Sequence, residues 1–510
     1  MKRKIHIAIL YLFALCIVTN HAKAQSGVKM KDEMHRPQIH FSQKAHWIND
    51  PNGMVYLNGT YHLFFQYYPE STVWGPMHWG HATSKDLIHW KELPIALYPD
   101  SLGYIFSGSA VIDKNNTSGF GKNGKAPMVA IFTHHNPVFE KENRDDVESQ
   151  SIAYSLDEGK TWTKYAANPV VKNPGIKDFR DPKVMWYEPQ KKWVMTLATK
   201  DRITFYSSPN LKDWTKESEF GEQAGAHGGV WECPDLFTLD HNGKKVWVLI
   251  VNINPGGPNG GSATQYFVGN FDGKNFTASH TDTRWVDYGP DEYAGITWGN
   301  TGNRKIFLGW MSNWQYSTLV PTKNWRGAMT LPRELKLKQV GKDLLIASEP
   351  VKELAILQTK KVVADSIDIS AKVNLATHTG SLKLPCRINL SMENTNDFSL
   401  TVSNDLKEKL VIGFNKKKHQ FFIDRTASGK IDFEKGFAGV HAAPRFSADT
   451  KMTFSLVIDV SSLELFADDG LTVMTETFFP HKPYNQVYIQ SKSGNKIAKL
   501  EYMPLSSIWK

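Results

Sequence analysis

The sequence predicts an all-β protein in which propeller-like repeats precede a β-sandwich. Three observations predict it. Helical periodicity is almost absent before residue 350. Five short β-rich runs recur there at a near-regular spacing: YHLFFQY (61–67), PMVAIFT (127–133), KWVMTLA (192–198), KVWVLIV (245–251) and RKIFLGW (304–310). Gly, Pro, Asn and Asp clusters punctuate them, and a period of roughly sixty residues leaves room for four strands per repeat. A large sandwich or irregular barrel is the competing reading. Third, from residue 363 the chain alternates again (RINLSM, FSLTVS, LVIGF, QFFIDR, MTFSLVIDV), with turns about every ten residues, which is a two-sheet sandwich pattern.

Taken in order, residues 1–24 read as a secretory signal peptide: a basic start, an apolar run and Ala22-Lys23-Ala24 before Gln25. This implies export, to the periplasm or outside the cell. Cys16 raises the alternative of a lipid-anchored precursor, which Leu15 and the better Ala-Lys-Ala site disfavour. Removing Lys2, Arg3, Lys4 and Lys23 takes the formal charge from +9 to +5, ordinary for this length. The only dense basic run, Lys416-Lys417-Lys418, reads as a solvated hairpin, so no nucleic-acid partner is expected. No later apolar run is long enough to span a membrane. Cys233 and Cys386 imply no disulfide framework, and no CxxC or HExxH pattern supports a metal.

Within the repeats a second echo ends polar turns on tryptophan: SKDLIHW (84–90), SLDEGKTW (155–162) and SPNLKDW (208–214). The acids keep step too. Asp50, Asp181, Glu232 and Asp291 precede their runs by 11 to 13 residues, whereas Asp113 fits less well. In a propeller such positions lie near the innermost strands and converge on one mouth. Converging carboxylates repel, which a fold tolerates mainly for a metal, catalysis or a polar ligand. Arg180 beside Asp181 is expected to hold that carboxylate ionised. Trp231, Cys233 and Pro234 form an apolar flank that raises Glu232. One ionised and one protonated carboxyl is what glycoside hydrolysis requires. Trp47, Trp74, Phe106, Trp231 and Trp314 are candidates for stacking on sugars, each with core packing as the alternative. Residues 346–362 have a short helical look and a charge-rich end, plausible as a linker.

WINDPNG (47–53), FSGSAV (106–111), FRDPKV (179–184) and VWECPDLF (230–237), in this order, closely resemble the signature segments of glycoside hydrolase family 32. Further stretches similar to that family are HWGHATSKDLIHWKELPIAL (78–97), DYGPDEYAGITW (287–298), GWMSNWQYSTLVPTKNWRGAMTLPREL (309–335) and VIDVSSLELFADDGLTVMTETFFP (457–480). The resemblance runs from about residue 35 to the C-terminus. It implies a five-bladed β-propeller over 35–345, a linker over 346–362 and a C-terminal β-sandwich over 363–510. It also implies retaining hydrolysis of β-D-fructofuranosides. Asp50 would be the nucleophile, Glu232 the acid and base, and Asp181 a partner of the fructose hydroxyls that stabilises the transition state. Asn49, Gln66, Trp74, Phe106, Ser107, Arg180, Tyr293 and Trp314 match positions lining the fructose pocket. Ile48, where Met is commoner, is the one evident departure.

No cofactor is expected, because the acids supply both nucleophile and proton. NWRGAMTLPREL and DEYAGITW look more like exo-acting levanase and inulinase relatives than plant invertases, so the expected activity is exo-acting release of fructose from levan, inulin or sucrose. Endo-acting cleavage, fructosyl transfer and non-catalytic fructan binding are the alternatives; intact Asp50 and Glu232 argue against the last. The sandwich is read as structural support rather than an independent carbohydrate-binding module. Oligomeric state is not legible in the sequence.

Overall fold

The computed structural model describes residues 29–509, so the segment read as a signal peptide, Cys16 included, lies outside the described residues. Those residues are almost wholly β, as the sequence predicts. Residues 46–350 form five antiparallel sheets, each built on four strands, and residues 362–504 form two six-stranded sheets. Among the described residues no helix is long and apolar enough to cross a membrane.

The five apolar runs are the second strands of the five sheets, buried on both faces, which explains why they read as continuous apolar segments. The strands before them hold most of the candidate site residues: His46–Leu57, Tyr104–Ile112, Phe179–Tyr187, Val230–His241 and Tyr293–Thr297. Each of these first strands packs against the next, and the fifth packs back on the first, so they form a closed ring. The tryptophan echo is structural as well. Trp90, Trp162 and Trp214 each donate an indole N–H to the carbonyl three residues back, on Leu87, Gly159 and Leu211, at 3.0, 3.1 and 3.0 Å. Those three acceptors all have positive φ, so one turn is built three times between third and fourth strands.

The ring has one sequence-distant stitch. Trp325–Arg326, which follows the second strand of the fifth sheet in the chain, pairs in parallel with His46 and Trp47 of the first sheet. Gly327 makes this possible: a Cβ there would sit 2.1 Å from the Ile48 carbonyl oxygen.

The two six-stranded sheets share one apolar core, with Ile388, Leu390 and Leu456 from one sheet and Leu400, Ile412 and Phe421 from the other. The segment read as a linker begins inside the last strand of the fifth sheet, Asp343–Pro350, and continues as a 3-10 turn, Lys352–Leu357. Buried charge joins the two halves of the chain. Arg333 meets Asp287 at 2.8 Å and Glu464 at 2.5 Å, and His40 lies between Asp459 and Glu464 at 2.8 and 2.9 Å. Burial opposes a charged His40, but its two carboxylate partners win and raise it to about 9.

Glu292 stands beside this network without a well-formed hydrogen bond on either oxygen. It is fully buried against Gly295 and Gly309, where an added Cβ would come within 2.6 and 2.2 Å of its Oε1. Burial, and then the charge of Asp287, push its carboxyl up to about 8 despite Arg333. The folded protein therefore keeps a proton here that the unfolded chain releases near the ordinary value of 4.5. Its contribution to stability is complete below that value and is lost as pH rises towards about 8. Glu292→Gln is expected to flatten this decline, so that its melting temperature falls several degrees less than the parent's between pH 5 and 8. Parallel melting curves would refute the assignment.

Candidate active site

In all five first strands the pairing with the second strand slips by one residue, so that two residues face one. Asn49 and Asp50 oppose Gln66, Phe106 and Ser107 oppose Thr133, and Asp181 and Pro182 oppose Leu197. Cys233 and Pro234 oppose Val251, while Ala294 and Gly295 oppose Gly309. Such bulges re-aim side chains and tolerate the prolines that would break a regular ladder. Asp181, Cys233 and Ala294, each the first residue of its bulge, have φ values of 65°, 43° and 55°.

This sharpens the expected equivalence of the acids. Asp50, Asp181 and Glu232 occupy three adjoining positions of one motif: second bulge residue, first bulge residue and the residue just before. Two other acids of the repeat go elsewhere. Asp113 caps a turn, accepting from the backbone N–H and hydroxyl of both Thr117 and Ser118. Asp291, two residues ahead of its strand, turns away to Tyr316 and Arg425 instead of the mouth.

Asp50 is held by donors. Ser107 Oγ gives a hydrogen bond of 2.6 Å to Oδ2, and Asn49 Nδ2 one of 3.0 Å to Oδ1. Asn49 is itself fixed by the Trp47 indole N–H at 2.8 Å. Burial raises the Asp50 carboxyl, and these donors restrain the rise. Asp181 accepts the Cys233 backbone N–H at 3.0 Å. The Cys233 thiol stands between two carboxylates, 3.6 Å from Asp50 and 3.5 Å from Asp181. Burial and these acids raise the thiol well above its usual range, so it stays protonated and donates.

Arg180 does not serve Asp181 as the sequence suggested. Its guanidinium instead reaches Glu232 at 3.2 Å, Glu148 at 3.1 Å and Asp178 at 2.9 Å. Asp181 is left with burial and the charge of Glu232, which lift it to about 8 against the more distant pull of Arg180. Glu232 is raised as expected, by burial of its carboxyl. Trp231 turns into the core behind the strand. The Tyr293 hydroxyl donates to Glu232 Oε2, and that bond, with Arg180, restrains the rise.

These groups line a cavity of about 420 Å³ walled by Asn49, Asp50, Gln66, Trp74, Phe106, Ser107, Arg180, Asp181, Glu232 and Trp314. Tyr293 stands behind Glu232 instead of on the wall. Of the aromatic candidates, Trp47 and Trp231 are fully buried and belong to the core, whereas Trp74 is 39% exposed. Trp74 meets Phe106 edge-on at 6.0 Å, and Phe106 stacks on His135 at 4.3 Å.

His135, Glu140, Val147, Glu148, Lys177 and Asp178 also line the cavity and were missed. Only Asp178 carried a signal, lying two residues from Arg180. Glu148 sits at the start of a third strand, and nothing in ESQSIAY (148–154) marks it as the buried counterion of Arg180.

The family model "Glycosyl hydrolases family 32 N-terminal domain" matches residues 40–348, and "Glycosyl hydrolases family 32 C terminal" matches residues 353–504. A levanase of Bacillus subtilis is 44% identical over 522 residues, covering 100% of this chain and 76% of its own. An extracellular exo-inulinase of Aspergillus niger is 40% identical over 94% of this chain and 96% of its own. The crystal structure of exo-inulinase from Aspergillus awamori superposes with a TM-score of 0.86 at 38% identity, over 94% of this chain and 99% of that one. A fructofuranosidase from Schwanniomyces occidentalis complexed with fructosylnystose superposes equally well, TM-score 0.86, at 33% identity and with 94% and 99% coverage.

Proposed function

The chain belongs to glycoside hydrolase family 32 and hydrolyses fructosidic bonds, and from that premise we propose that it is a retaining, exo-acting β-fructosidase of levan or inulin. One observation carries the site assignment. Asp50, Asp181 and Glu232, from the first, third and fourth sheets, meet in one aromatic-walled pocket. We further read the five sheets as blades of a five-bladed propeller and the two six-stranded sheets as a sandwich domain from residue 363. Support for this comes from the closed ring of first strands, the repeated bulge and the shared apolar core.

Asp50, kept in place by Ser107 and Asn49, attacks the anomeric carbon of a terminal fructose. Glu232 gives its proton to the departing oxygen as that bond breaks, leaving fructose covalently on Asp50. Glu232, now ionised, takes a proton from water, whose oxygen displaces Asp50 and frees fructose. Asp181 holds the fructose hydroxyls against the transition state, while Trp74, Phe106 and Trp314 exclude water and pack on the sugars. Arg180 and Tyr293 steady Glu232 through both of its protonation states.

The pocket's limited volume suits a chain end, and the relatives named as exo-inulinases agree with that reading. Incubation with levan, inulin and sucrose is expected to give free fructose from the first time point. Oligosaccharides appearing before fructose would show endo cleavage, and no product from any of the three would overturn the activity. Export is part of the same reading, supported by the basic and apolar N-terminal segment and by the relative named as an extracellular exo-inulinase.

A further inference from the structure

The catalytic groups all lie before residue 350, yet a buried network from the C-terminal sheets reaches two segments that shape them. Arg425 is fully buried on the strand Gln420–Ala427. Its Nη1 pairs with Asp291 at 2.5 Å and with Glu476 at 3.0 Å, and its Nη2 donates to the Tyr316 hydroxyl at 2.9 Å. That hydroxyl donates in turn to Asp291 Oδ1 at 2.6 Å. The Thr477 backbone N–H gives Asp291 Oδ2 a further bond of 2.8 Å. Arg425 is tied on its own side by Nε to the Phe437 carbonyl at 2.6 Å, with the Phe437 ring 3.9 Å beneath the guanidinium.

Both segments held this way end in the active site. Asp291 is two residues before Tyr293, whose hydroxyl binds Glu232. Tyr316 is two residues after Trp314, a wall of the pocket. The segments are also cross-linked, Asn313 Nδ2 donating to the Pro290 carbonyl at 2.8 Å. Trp314 packs 5.9 Å from Trp47, which fixes Asn49 and through it Asp50.

We infer that Arg425, with Tyr316 and Asp291, is a positioning unit by which the C-terminal domain sets Tyr293 against the proton donor and Trp314 against the fructose pocket. The domain is thus part of the active site's geometry as well as a support. This rests on Glu232 being the donor, which Glu232→Ala tests independently.

Tyr316→Phe is the informative variant, since it deletes one hydroxyl and leaves the Arg425–Asp291 ion pair in place. Misplacement of this kind is expected to lower kcat/KM on sucrose by about 10- to 100-fold. The loss on a fructoside with an activated aryl leaving group, which needs little protonation, is expected to be much smaller. Around Glu232 stand Arg180, Tyr293, Asp50, Asp181 and the Cys233 thiol. Of these Tyr293 is the one that links the network to Glu232 by a hydrogen bond, and that bond favours ionised Glu232, whereas Asp50 is reached only through Trp314, Trp47 and Asn49. The alkaline limb of the sucrose profile should therefore move to higher pH, as it should in Tyr293→Phe, with no further movement in the double variant.

Asp291→Asn, in which Arg425 keeps Glu476 as counterion, is expected to behave in the same way. A folded Tyr316→Phe protein with an unmoved pH limb and equal rates or equal losses on both substrates would overturn the inference. If Glu232→Ala fails to discriminate the two substrates, the donor assignment falls instead.

Discussion

Asp50→Ala is expected to lose turnover on every fructoside, by about 10⁴-fold or more, because no covalent intermediate can form without its carboxylate. The effect should not depend on the leaving group, since attack at the anomeric carbon is common to all substrates. Structural collapse is an unsuitable explanation for such a loss. The bulge is set by backbone pairing of Ile48 and Pro51 with the second strand, and Trp47 still holds Asn49, although Ser107 and Asn49 lose the carboxylate they donate to. Asp50→Asn makes the stricter test, because it keeps the shape and one oxygen for Ser107. Melting temperatures near the parent's, with no product from sucrose or an aryl fructoside, are the expected pair of results. Retained turnover in a verified Asp50→Asn protein would remove Asp50 as nucleophile.

Glu232→Ala should divide substrates where Asp50→Ala does not. General acid catalysis contributes about 10²- to 10⁴-fold, so sucrose and fructan cleavage should fall by that amount. An aryl fructoside with an acidic leaving group should still release its first equivalent of phenol at a rate close to the parent's. Deglycosylation also needs Glu232 as base, so that release should appear as a burst, and added azide should restore slow turnover. The variant frees Arg180 from one of its three carboxylate partners but leaves Glu148 and Asp178 in contact with it. Equal losses on both substrate types would contradict the donor role.

Much of this was legible in the sequence because each sheet repeats one length and one polarity pattern. The apolar runs are second strands buried on both faces, so they stand out, and the turns ending in Trp90, Trp162 and Trp214 repeat one hydrogen bond. Short WINDPNG, FRDPKV and WECPDLF segments stand out because proline in a strand marks a bulge. What the sequence hid were partners chosen by side-chain direction. Arg180 and Asp181 are neighbours in the chain but serve different groups, and Glu148 is 32 residues from the arginine it binds. Spacing alone also grouped Asp291 with Asp50, Asp181 and Glu232; it lies three residues before its bulge and turns to Arg425.

The parallel pairing of Trp325–Arg326 with the first strand has a consequence for how the enzyme comes into being. Gln43 and Arg326, which it brings into contact, are 283 residues apart. During synthesis from the N-terminus, the strand carrying Asp50 emerges first and waits for this closing segment until most of the ring has followed. Contacts of such separation are slow to form. A chain shortened before residue 325 would still contain Asp50, Asp181 and Glu232, yet the strand carrying Asp50 would present an open edge. Activity should therefore appear late and abruptly during folding, with completion of the circle, rather than accumulate sheet by sheet.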